Sequence, residues 1–119
     1  MQYKITWKMY DNKKIECYNI FSKMNSDDDI SDAGNNIKIL GRWHTVGGGS
    51  GTCICESTNI ESIFSWMFNW NQMCDILVEP VIDDMTFRNI LKKKIKQDES
   101  VSNISTSSSI RINDCCNIT

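Results

Sequence analysis

The spacing of apolar residues along the chain switches repeatedly between two and three to four, and each switch marks an element. In "QYKITWKMY", Tyr3, Ile5, Trp7 and Met9 alternate with Lys4, Thr6 and Lys8, the pattern of a half-buried strand. From Lys13 to Met24 the apolar positions Ile15, Tyr18, Phe21 and Met24 recur at helical spacing, with Asp11 placed to cap them. "NSDDDISDAGNN" then breaks the period with acidic and turn residues and reads as a solvated loop. "NIKILGRWH" and "GTCICE" alternate again on either side of the glycine-rich "TVGGGS", which predicts an antiparallel hairpin. In "STNIESIFSWMFNWN", Thr58 and Glu61 have capping-box spacing ahead of an apolar face of Ile60, Ile63, Phe64, Met67 and Trp70. "CDILVEPVI" returns to strand character. Asp83 or Asp84 then caps a last helix whose Lys92, Lys93, Lys94 and Lys96 suit its C-terminal dipole.

This order predicts an α+β domain of the ferredoxin-like βαββαβ type. Two helices cover one face of a four-stranded antiparallel sheet, and an extra helix follows. The domain spans residues 1–96. Residues 97–119 are rich in serine and poor in large apolar side chains, which predicts a disordered tail; Cys115 and Cys116 within it read as incidental.

Strict alternation divides each strand between two faces. Tyr3, Ile5, Trp7, Ile37, Ile39, Trp43, Cys53, Cys55, Ile76 and Val78 are assigned beneath the helices. The opposite face then receives Thr6, Lys8, Leu40, Arg42, His44, Thr52, Ile54, Glu56, Leu77 and Glu79. Its mixture of apolar and charged groups suggests partial burial against a second copy, sheet to sheet, around a polar-lined cavity.

Composition narrows the partners. The 119 residues carry 13 Lys and Arg against 15 Asp and Glu, a formal charge of -2, so no basic field gathers nucleic acid. No signal peptide or membrane span is evident, which places the protein in the cytoplasm, away from membranes. Of the six cysteines, two form a CxC and two are adjacent, and without a secretion signal reduced thiols are expected. CxxC and HExxH are missing, and no cofactor motif stands in their place. "GGGSG" lacks the Lys-Ser/Thr ending of a phosphate loop, and "DDDISD" lacks the glycine and final acid of a calcium loop.

The run "LGRWH", the glycine-rich turn, the strand ending "CE", the "WMFNWN" helix and "VEPVIDD" together resemble a family of small proteins of unknown function. That family is placed among the ferredoxin-like dimeric α+β barrels. The resemblance covers residues 1–95 and implies the fold and a homodimer. It brings no established reaction.

His44, the only histidine, is the candidate catalytic residue, because an imidazole titrates near neutral pH; the alternative is a hydrogen-bonded histidine at the dimer seam. Arg42, His44, Glu56, Glu79 and Thr6 are the candidate ligand-binding set, with the two glutamates orienting the cation and the imidazole or forming ion pairs across the sheet. A Glu56/Glu79/His44 metal site is chemically conceivable, but no ligand-spacing motif supports it and no metal is assigned. The leading functional expectation is a homodimeric module binding a small polar or anionic molecule between facing sheets. The alternatives are a cofactor-free enzyme of monooxygenase, isomerase or decarboxylase type using His44 as general acid or base, by analogy of fold only, and a purely structural module.

Overall fold

The computed structural model describes residues 1–101, and the remainder of the Ser-rich tail, with Cys115 and Cys116, lies outside the described residues. Strand β1 (Gln2–Met9) leads through a short 3-10 turn into helix α1 (Lys14–Ser22), and a second helix, α2 (Ser26–Ala33), precedes β2 (Ile37–Thr45). A 3-10 turn at Val46–Gly48 joins β2 to β3 (Ser50–Ser57), and α3 (Ile60–Phe68), β4 (Cys74–Val81) and α4 (Asp84–Val101) complete the order. The sheet is four-stranded in the order β2-β3-β1-β4 with every pairing antiparallel. That is the strand order predicted for a βαββαβ chain.

The chain divides into two compact units, Met1–Val81 and the segment from Ile82 onward. The first holds the whole sheet and α1, α2 and α3. Its core is formed by Tyr3, Ile5, Cys53 and Cys55 from the sheet and by Ala33, Ile63 and Trp66 from the helices; Met9, Cys17 and Cys74 form a second cluster. Burying these side chains on one sheet face is the main force that holds the helices there. The second unit contains α4. Asp83 caps it, Oδ1 accepting from the Thr86 N–H at 2.8 Å, and helix continues as far as Val101, past residue 97 where the tail was placed from sequence. No helix among the described residues is long and apolar enough to cross a membrane.

Asp11 lies inside the 3-10 turn and does not cap α1, and Lys92, Lys93, Lys94 and Lys96 fall short of the last turn of α4; three further local features differ from the sequence reading. The acidic stretch is a helix, because Asn25 and Asp28 form a reciprocal capping box, each side chain accepting from the other's backbone N–H at 2.9 and 3.0 Å. Three aspartates in its first turn also suit the positive end of the helix dipole. Helix α3 is capped by Asn59 rather than Thr58, the Asn59 side-chain Oδ1 accepting from the Glu61 N–H.

The third difference moves the site. Ile39 lies opposite Cys55, but Gly41, not Leu40, lies opposite Ile54, so β2 carries a bulge at Leu40. One extra residue reverses the side-chain phase of everything after it. Arg42 therefore pairs with Cys53 and His44 with Gly51 on the helix-covered face, and Trp43 pairs with Thr52 on the open face. Unbroken alternation puts each of these three residues on the opposite face, and the bulge reverses all three.

Candidate functional site

Beneath the helices the central strand β3 places small residues, Gly51 and Cys53, between larger ones on β1 and β2, and the side chains around them do not fill the space. Trp7 of β1 and His44 of β2 both pair with Gly51 of β3. Strands two apart in a sheet are separated by nearly 10 Å, yet the two rings approach to 5.7 Å, edge to face. Gly51 permits this. A β-carbon there would collide with the Trp7 ring and sit 2.7 Å from the Trp43 carbonyl oxygen. In the next row, Ile5, Cys53 and Arg42 lie abreast, again with a small residue in the middle.

Above these rows, α1 offers Cys17, Tyr18 and Phe21, and α3 with the residues after it offers Trp66, Met67 and Trp70. Between them and the sheet is a cavity of about 360 Å³, within the size range of small-molecule sites. The walls are aromatic rings, methionines and thiols. Among the described residues, Arg42 is the only charged one in the lining, with His44 beside it. The Arg42 guanidinium lies 4.9 Å from the centre of the Phe21 ring, a cation-π contact, and the His44 ring lies 5.1 Å from the same ring.

Helix α2 is strapped across this region by two aspartates one turn apart. Asp29 accepts a hydrogen bond from Nη2 of Arg42 at 2.8 Å, an ion pair partly open to water. Asp32 accepts from the indole N–H of Trp66 at 2.9 Å, from that of Trp70 at 2.8 Å and from the Asn69 amide at 3.0 Å. Asp32 thus satisfies the indole donors of Trp66 and Trp70, which would otherwise be costly to bury. Neither aspartate was singled out from sequence, and the only available signal was their i, i+3 spacing.

His44 and the cavity thiols Cys17, Cys53 and Cys74 are held in their uncharged forms. Partial burial, and then the Arg42 charge, lower the His44 pKa below its ordinary 6.5, so the imidazole is neutral at pH 7. Burial pushes the Cys17 thiol up and the Cys74 thiol to about 12. The Cys53 thiol is also raised, first because it donates to Cys55 and then by burial. None of these three is a nucleophilic thiolate at neutral pH.

The five residues chosen from sequence are divided between two faces. Arg42 and His44 meet at the cavity, and Thr6, Glu56 and Glu79 point to the other side of the sheet. Thr6 borders a separate surface hollow of about 210 Å³. Glu56 lies opposite Lys38 and Gln2, accepting from the Gln2 amide at 3.3 Å, and Glu79 lies opposite Lys4. The glutamates therefore face cross-strand partners rather than Arg42 and His44, and the Glu56/Glu79/His44 grouping cannot close on one metal ion.

No curated protein and no solved structure matches the chain. The family model for the domain of unknown function DUF3303 matches residues 1–95, from the first strand into α4, and the chain belongs to that family.

Proposed function

We propose that the protein is a small-molecule binding module whose ligand occupies the cavity between the sheet and α1 and α3, with Arg42 and His44 as its polar contacts. The observation that carries this reading is the cavity itself: about 360 Å³ of apolar, aromatic-walled space with one cation at its edge. Well-packed interiors leave few voids larger than a water molecule, and a space of this size with convergent polar groups is the usual form of a ligand site. The ligand position expected from sequence, between two facing sheets, loses its main support because Arg42 and His44 lie on the other face. A homodimer through the open face remains part of the proposal, resting on the exposed Leu40, Trp43 and Leu77 there.

The test is thermal unfolding with a panel of small aromatic and aliphatic compounds, alongside native mass spectrometry of gently purified protein. A ligand at ten times its Kd adds about 1.4 kcal/mol and raises Tm by roughly 5 °C. A panel with no shift and a spectrum with no retained mass would remove the reading.

The neutral His44 favours a second reading, catalysis. An imidazole beside a guanidinium suits a general base that takes a proton while Arg42 holds the negative charge that develops. Under it, a bound compound is converted, and His44→Ala slows conversion by about 10²-fold or more without abolishing binding. Equal rates in the two proteins would exclude this role.

A further inference from the structure

Resting on the cavity as the ligand site, we infer that the ligand is a planar aromatic monoanion, such as a two-ring carboxylate, and that its carboxylate takes the place of Asp29 on Arg42. The body of the ligand follows from the walls. A void of ~150 Å³ accepts one benzene ring, so about 360 Å³ accommodates two rings and a headgroup. Trp7, Phe21, Trp66 and Trp70 present the faces and edges on which such rings pack.

The headgroup follows from charge. Arg42 is the sole charged side chain in the lining among the described residues, and a cation there needs a partner. Asp29 is that partner, reaching in from α2 to the terminal nitrogen Nη2. The planar guanidinium has five donors and favours two parallel bonds to a carboxylate. The Asp29 pair is partly exposed to water, so solvent competes for the Asp29 carboxylate, whereas a carboxylate carried into the cavity on an apolar body meets Arg42 with less of that competition. Exchange of one carboxylate for the other keeps the charge compensated throughout. Helix α2 need not leave, because Asp32 still holds it to Trp66, Asn69 and Trp70. The neutral His44 beside Arg42 adds a donor or an acceptor without a second charge.

The proposal separates cleanly from the cavity reading when two probes of one shape are compared by calorimetry at pH 8: 2-naphthoate and its neutral isostere 2-naphthamide. Naphthoate is expected to bind about tenfold more tightly, as a charge-assisted contact requires. Asp29→Asn removes the internal competitor and is expected to widen that ratio by roughly three- to tenfold. The double variant D29N/R42Q, which leaves no orphaned charge, is expected to bring it close to one. Binding of both probes with equal affinity, or a ratio unmoved by D29N, overturns the monoanion assignment and leaves the cavity as a site for neutral molecules. Failure of both probes to bind the unaltered protein overturns the assignment and counts against the cavity reading as well.

Discussion

His44 shows how far one side chain depends on what lies beside it. Alternation alone sends it to the open face, but in the folded chain it stands between Trp7 and Phe21 with Arg42 close by. Partial burial and the neighbouring cation both disfavour its charged form, so the folded protein binds the His44 proton less tightly than the unfolded chain does. By linkage, the stability due to this group is fully present above the ordinary pKa of 6.5 and declines as pH falls through 6.5 toward the folded value. The single imidazole makes the measurement direct. Proton NMR should give a His44 pKa below 6.5, and the slope of unfolding free energy against pH just below that value should be shallower in His44→Gln. A pKa at or above 6.5 would show that the ring is solvated and unaffected by Arg42.

At the scale of elements, the site is produced by departures from regular structure. Gly51 lies in a strand, where glycine is otherwise unfavourable, and its missing side chain brings Trp7 and His44 together across β3. Gly51→Ala is expected to cost about 1–3 kcal/mol, the usual penalty for forcing atoms into a filled space. It should also move the His44 resonances, since the Trp7 ring must turn aside; an unchanged His44 spectrum would show that the glycine does not set this contact. The regular parts were legible in the sequence. The alternation of β1, β3 and β4, the glycine turn and the apolar face of α3 each follow a single period, and together they dictate the strand order. The bulge was not legible, since Leu40-Gly41 fits unbroken alternation as well as a shifted one, and only pairing with β3 reveals the extra residue. Helix α2 was hidden for a different reason. Its composition is that of a solvated acidic loop; the Asn25–Asp28 capping box is local, but the two anchors, Asp29 and Asp32, depend on partners far along the chain.

For the molecule as a whole, the two faces of the sheet carry separate predictions. The helix-covered face holds a cavity complete within one chain. The open face carries Trp43, 61% exposed, Leu77, 56% exposed, and Leu40, 42% exposed, in a setting of cross-strand Lys–Glu partners and the threonine row Thr6–Thr52. Trp43 folds back over Gly41, which has no side chain to hold it off, so the indole lies along the sheet and presents a broad apolar surface. A second copy meeting this face with its own would bury such groups on both sides at once, and a stable contact of this kind removes roughly 800 Å² from water per partner. Sedimentation equilibrium is therefore expected to show a dimer, and Trp43→Lys is expected to give a monomer, because two desolvated ammonium groups would then approach the same interface. Since Trp43 and Arg42 point to opposite sides of β2, the monomeric variant should bind cavity ligands as the unaltered protein does. Loss of binding together with dimerisation would mean instead that the second copy completes the site. A monomer from the start would leave the open face without its proposed partner and the cavity untouched.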